Sequence, residues 1–192
     1  AGGSTANAGG DAGTDGPTDA ASDTPPAADA AADTQPASEW EVLADIPSGG
    51  AFISRGVIDG KIPAMPSGSD AHYVYDPVLD SWQALAAVPE PAHHHEGATA
   101  TGKLYRFGGY WGSPSQSGYK DYNFVYDPAL GTWGSAAPMT IPRPYGTAAV
   151  IDDKIYVIGG PNIAGQENHL MNEEYDPGGD SWTAKANLPG SI

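Results

Sequence analysis

The sequence predicts an all-β fold of about three four-stranded antiparallel units, and three observations carry that expectation. A short phrase recurs as Tyr75-Asp76-Pro77, Tyr126-Asp127-Pro128 and Tyr175-Asp176-Pro177, with Trp82, Trp133 and Trp182 each seven residues after its Tyr. The period is nearly constant, because the successive Trp residues stand 51 and 49 apart. Self-similarity at a period of about 50 residues marks a repeat architecture in which each unit is one supersecondary element. Finally, each repeat holds short apolar runs broken by two-residue turns, the pattern of antiparallel strands.

The elements follow in order. Residues 1–38 contain twelve Ala, six Gly, six Asp, five Thr and four Pro, with no Val, Ile, Leu, Met or aromatic residue. Such a segment cannot bury enough apolar surface to offset its ordering entropy and is expected to be a disordered spacer. The remainder, 39–192, carries all five Trp and all ten Tyr and is expected to hold the core. Residues 39–46 read as an outer strand, since Trp40 to Pro47 repeats the spacing of Trp82 to Pro89 and Trp182 to Pro189. Three units follow at about 50–87, 92–138 and 143–187.

The last unit shows the grammar best. Tyr145–Ile151 is a run of small and β-branched residues, Asp152-Asp153 turns the chain, and Lys154–Ile158 returns with period-2 alternation, closed by Gly159-Gly160. A longer loop leads to Asn172–Tyr175, then Asp176–Asp180 turns again, with Pro fixing φ and Gly supplying left-handed backbone. Ser181–Lys185 is the outer strand. The middle unit fills the same slots, with Gly108-Gly109 in place of Gly159-Gly160. In the first unit Asp59-Gly60 is a strong hairpin turn, but Pro63 replaces the strand Tyr and Pro66-Ser67 stands where Gly-Gly should be. Its second strand is therefore expected to be short or irregular.

Gly108-Gly109 and Gly159-Gly160, the Tyr-Asp-Pro at Tyr75, Tyr126 and Tyr175, and Trp40, Trp82, Trp133 and Trp182 together resemble the kelch repeat. The resemblance implies a kelch-type β-propeller of four-stranded blades, with these Tyr and Trp filling the space between neighbours and the Gly allowing close backbone approach. It also implies an incomplete ring: three blades fall short of the four or so needed for closure, and the orphan N-terminal outer strand would complete a further blade. The expectation is a fragment, with more blades of the same chain or a second chain closing the ring.

Composition limits the partners. The formal net charge is −16, with eight Lys and Arg in all, scattered singly. Nothing tracks phosphates, so nucleic acid and anionic membrane are not expected partners. There is no Cys, hence no thiolate metal site or Cys nucleophile, and no apolar run is long enough for a transmembrane helix. The Ala/Gly/Thr/Asp/Pro-rich start resembles spacers that hold bacterial surface lipoproteins off their membrane. An extracellular, periplasmic or cell-surface location is therefore expected, with a lipid anchor possible upstream of Ala1.

Function is expected on the face bearing the long loops, because tight turns crowd the other. The loop 110–122 presents Tyr110, Trp111 and Tyr119 among Gly, Ser, Pro and Gln. Arg143 and Tyr145 lie in the connection at the kelch position whose Arg often faces the central funnel. Arg143 has Ala92 and Gly50 in the corresponding slots, so no ring of Arg forms. His93-His94-His95-Glu96 opens the second blade; strand alternation would turn His94 away from His93 and His95, which argues against a zinc site. The ligand-binding candidates are thus His93, His94, Tyr110, Trp111, Tyr119, Arg143 and Tyr145. No catalytic residue, metal or cofactor is expected. The favoured reading is a non-catalytic module recognising a protein or glycan. The alternative is an enzyme on a kelch scaffold, resembling sialic-acid epimerases or the carbohydrate oxidases related to galactose oxidase, with its other site residues in further blades.

Overall fold

In the computed structural model, residues 40–48, 52–53, 56–112, 118–160 and 170–190 are described. The chain divides into two compact units, Ala1–Glu41 and Val42–Ile192, and the account below concerns the second. The expected spacer at 1–38, residues 113–117 of the first long loop and residues 161–169 of the second lie outside the described residues.

Twelve strands form three four-stranded antiparallel sheets, and the described residues contain no α-helix. The first sheet holds β1 (Phe52–Ile53), β2 (Ile62–Pro66), β3 (Tyr73–Asp76) and β4 (Ser81–Ala84) in chain order. The second holds β5 (Glu96–Ala100), β6 (Lys103–Phe107), β7 (Asn123–Asp127) and β8 (Thr132–Ser135), again in order. The third holds β9 (Thr147–Ile151), β10 (Lys154–Ile158), β11 (Asn172–Asp176) and β12 (Ser181–Ala184). These are the blades, and the ring they begin is incomplete.

Register repeats from blade to blade. Each repeat Tyr lies opposite its own repeat Trp: Tyr75 pairs with Trp82, Tyr126 with Trp133 and Tyr175 with Trp182. The rings of each pair are 5.0, 5.4 and 5.0 Å apart. Each Trp indole then ties its blade to the chain before it. Trp82 Nε1 donates to Ala44 O, Trp133 Nε1 to Ala86 O and Trp182 Nε1 to Ala137 O, at 2.8–3.0 Å. Every acceptor stands four residues after the preceding Trp of the series 40, 82, 133.

Two cores lie between blades. One gathers Met65, Val88, Leu104, Phe124 and Tyr126 between the first and second. The other gathers Ala98, Ala100, Tyr105, Phe107, Met139, Ile155, Val157 and Tyr175 between the second and third. Alternation explains the sharing: along β6, Leu104 faces one neighbour while Tyr105 and Phe107 face the other. The far side of the third blade has no neighbour among the described residues, and Ile151 of β9 is exposed there.

Glycine at the ends of β6 and β10 permits the close approach. A Cβ on Gly108 would stand 2.3 Å from Arg143 O, and one on Gly160 would stand 2.4 Å from Pro144 O; both have positive φ. Nothing larger fits without moving the blade-to-blade connection.

Two expectations need correcting. Residues 40–46 make no ladder, and the Trp40 side chain is 97% exposed. The other repeat Trp rings lie on a Tyr from the third strand of their own blade, and no such strand precedes Trp40 among the described residues. The segment nonetheless keeps the repeat register through Ala44. The second correction concerns β2, which is five residues long and regular despite Pro63 and Pro66. Proline's fixed φ is compatible with extended backbone, and Phe52 and Ile53 of β1 pair with Pro66 and Met65.

Candidate functional site

The long-loop end of the second blade collects most of the expected residues. Tyr110 follows Gly108-Gly109 and leaves β6 as a short ribbon, bridging to His93 on one side and Tyr119 on the other. His93 and Tyr110 exchange both backbone hydrogen bonds, at 2.8 and 2.9 Å, and Trp111 N donates to Gly118 O. The loop base is therefore fixed by backbone pairing, although residues 113–117 lie outside the described residues.

Rings converge on that ribbon. The His93 ring is 5.3 Å from Tyr110 and 5.6 Å from Trp111, nearly parallel to the latter. The His94 ring lies 5.6 Å from Tyr110 and 4.2 Å from Tyr145, and Tyr110 to Tyr145 is 6.0 Å. Tyr145 N donates to His94 O, joining the two blade connections. Burial and the Tyr110 hydroxyl raise the Tyr145 phenol above its ordinary range, and the Tyr119 phenol adds to the effect. Trp111 and Tyr145 remain 46% and 48% exposed, so the cluster offers ring surface to solvent.

The histidines do not alternate as expected. His94 has φ of 47°, which breaks the strand and lets His93 and His94 both reach Tyr110. His95 alone turns inward. It is fully buried, its Nδ1 lies 3.1 Å from Ala92 O and 3.4 Å from an Arg106 nitrogen, and burial lowers its pKa to about 3. Among the described residues no three His, Asp or Glu side chains stand close enough to hold a metal ion.

Arg143 is not part of the ring cluster. It is 2% exposed, ion-paired to the buried Glu173, and its other terminal nitrogen donates to Val157 O at 3.2 Å. Thr140 Oγ1 also donates to Glu173. The reason lies in the repeat. Glu173 occupies the slot of Phe124, and Arg143 occupies the slot of Ala92, so two departures from the repeat compensate each other. A buried carboxylate in an apolar slot was a legible signal that the unmatched Arg had a structural partner. Arg106 is also buried and donates to Glu90 O at 2.6 Å, leaving neither arginine to meet a ligand.

Ser67 was missed. It stands in the slot of Gly109, where its hydroxyl accepts from His94 N at 3.3 Å and lies 3.5 Å from His93 Nδ1. It props the histidine pair from the first blade.

No family model matches the chain. Beta-scruin of Limulus polyphemus is 29% identical over 144 residues, 72% of this chain and 15% of that protein. Kelch-like protein 35 of Mus musculus is 32% identical over 121 residues, 62% of this chain and 19% of that protein. The solved structure of YjhT superposes with a TM-score of 0.65, at 22% identity, over 78% of this chain and 55% of that one. These matches support a kelch-repeat family for the chain. It spans less than a quarter of the length of these curated kelch relatives and about half of the superposed structure. The Tyr-Asp-Pro turns, the Gly-Gly pairs and the Trp tie between blades are the kelch features that the geometry explains.

Proposed function

We propose that this kelch segment is a non-catalytic recognition module that binds a protein or glycan partner through its long-loop face. The observation that carries the reading is the convergence of His93, His94, Tyr110, Trp111 and Tyr145, supplied by a loop and two blade connections on a rigid scaffold. Rings that join an apolar face to a polar edge supply contact area at low conformational cost, and central aromatics dominate interface energetics. Tyr119 closes the ribbon beside them. The burial of Arg143 removes the one cation on which an epimerase-like reading drew. A location outside the cytoplasm and further blades completing the ring belong to the same proposal.

The test compares two faces. A glycan array and a protein pull-down would supply the ligand, and Trp111→Ala with Tyr145→Ala should then weaken binding at least tenfold. Asp152→Asn with Asp153→Asn, on the opposite turns, should leave it unchanged. Loss of binding only with the second pair would reverse the face.

A further inference from the structure

The opposite, tight-turn end holds a cleft of about 320 Å³ between the first and second blades. Its origin can be read from the neighbouring interface. There, Tyr105 of β6 is buried against Tyr175, with ring centroids 5.6 Å apart, and its hydroxyl lies 3.3 Å from Thr101 Oγ1 in the turn. The repeat carries each of these positions one blade back: Tyr105 becomes Pro63, Tyr175 becomes Tyr126, and Thr101 becomes Asp59. Pro63, Tyr126 and Asp59 all line the cleft. A phenol ring is missing from the place where the next interface has one.

A second departure concerns Tyr126, which lines the same cleft. Tyr75 and Tyr175 each donate their hydroxyl to an Asp five residues on, Asp80 or Asp180, at 2.7 Å. The residue in that slot after Tyr126 is Gly131, and among the described residues no carboxylate takes the Tyr126 hydroxyl. Val74, Leu85 and Ile58 supply the apolar wall.

We propose that this cleft binds a small phenolic molecule. The ring enters the slot vacated at Pro63 and packs against Tyr126, and the hydroxyl donates to the Asp59 carboxylate as Tyr105 approaches Thr101. The apolar wall accepts an aromatic ring, and the charged acceptor at the turn selects a ring that carries a donor. The proposal is independent of the ring cluster on the other face.

Ligand-observed NMR and calorimetry on the full chain, with p-cresol, 4-methylanisole and toluene up to about 5 mM, suit a ligand of so few atoms. p-Cresol should bind about tenfold more tightly than toluene or 4-methylanisole, neither of which can donate to Asp59. Pro63→Tyr fills the slot and should abolish binding, while Trp111→Ala with Tyr145→Ala should leave it intact. Asp59 has φ of 50°, which glycine also adopts. Asp59→Gly therefore keeps the turn and should bring p-cresol down to the toluene level, which decides the matter if Pro63→Tyr fails to fold. No p-cresol binding, retention of binding by folded Pro63→Tyr, an unchanged p-cresol preference in Asp59→Gly, or loss of binding with the ring-cluster pair would each overturn the proposal.

Discussion

Gly131→Asp should stabilise the protein, and the structure gives the size of the gain. At the two flanking positions one carboxylate holds two donors. Asp180 accepts the Tyr175 hydroxyl and Ala137 N, both at 2.7 Å, and Asp80 accepts the Tyr75 hydroxyl and Ala44 N at the same distance. Between them, Tyr126 and Ala86 occupy the donor positions with glycine where the acceptor should be. Backbone conformation is no obstacle: Gly131 has φ of 68°, Asp80 and Asp180 have 44° and 45°, and a Cβ on Gly131 would meet nothing within 4 Å. The residual strain of an Asp at positive φ roughly cancels the entropy that a side chain removes from the unfolded chain. Two hydrogen bonds to an ionised acceptor at a solvent-facing turn then contribute about 1 kcal/mol after screening. For a domain of this size that raises Tm by about 2–4 °C.

The pH dependence makes the test sharper. Both existing carboxylates are held below the usual aspartate range, chiefly by the backbone N–H of Ala44 or Ala137 and then by the Tyr hydroxyl. A group with a depressed folded pKa contributes stability above its unfolded value, and that contribution disappears as pH falls through the folded value. The variant should exceed the parent in calorimetric Tm at pH 7 and lose its advantage below the normal aspartate pKa of 3.8. An unchanged or lower Tm at pH 7, or a gain that persists undiminished at pH 2, would refute the reasoning.

Two other outcomes are expected. Trp133→Ala should cost about 2–3 kcal/mol in urea melts, below the range for a fully buried Trp because the ring is half-buried; Trp40→Ala should change stability by less than about 0.5 kcal/mol. Equal losses would mean that the exposure of Trp40 does not describe the protein in solution. Burial lowers the pKa of His95 to about 3 and of His72 to about 4. The unfolded chain takes up those protons first, so stability should decline from about pH 6.5 downward, by up to about 1.4 kcal/mol per pH unit for each histidine. Urea midpoints at pH 7, 6 and 5 measure this, and His72→Phe, which keeps a ring beside Tyr126 and Trp133, should flatten the slope; a parent profile already flat over that range would contradict it.

How far the sequence could be read depended on the range of the interaction. The blade limits, the two-residue turns at Thr101-Gly102 and Asp152-Asp153, and the pairing of Tyr126 with Trp133 are local, and residue type declares them. The His94 turn is local too, yet nothing in a run of three histidines announces a positive φ, so the alternation rule sent that ring the wrong way. Arg143 failed for another reason. Its destination depends on Glu173, thirty residues on, and on a neighbouring strand offering Val157 O. Reading it required asking what Phe124's slot had become one blade later. Of the expected ligand-binding residues, the structure brings His93, His94, Tyr110, Trp111, Tyr119 and Tyr145 together and sets Arg143 apart.

A repeat protein contains its own controls, because each slot is filled several times under similar geometry. Departures from the repeat then fall into two kinds. At the interface between the second and third blades, Glu173 in an apolar slot would be an unpaired buried charge, and Arg143 answers it, so the interface stays closed. At the interface between the first and second blades, Pro63 stands where a ring would be and Gly131 where a carboxylate would be, and none of the other described residues lining the cleft supplies either. Compensated departures report on folding: the second change exists because the first would otherwise be too costly to keep. Uncompensated ones leave an opening, and two such openings meet here at Tyr126, whose ring is packed by His72 and Trp133 and whose hydroxyl has lost the acceptor its counterparts keep. A stability defect alone would be expected to scatter over the three blades. Two departures that share Tyr126, which lines the cleft with an acidic side chain at its edge, are the arrangement that a ligand would complete.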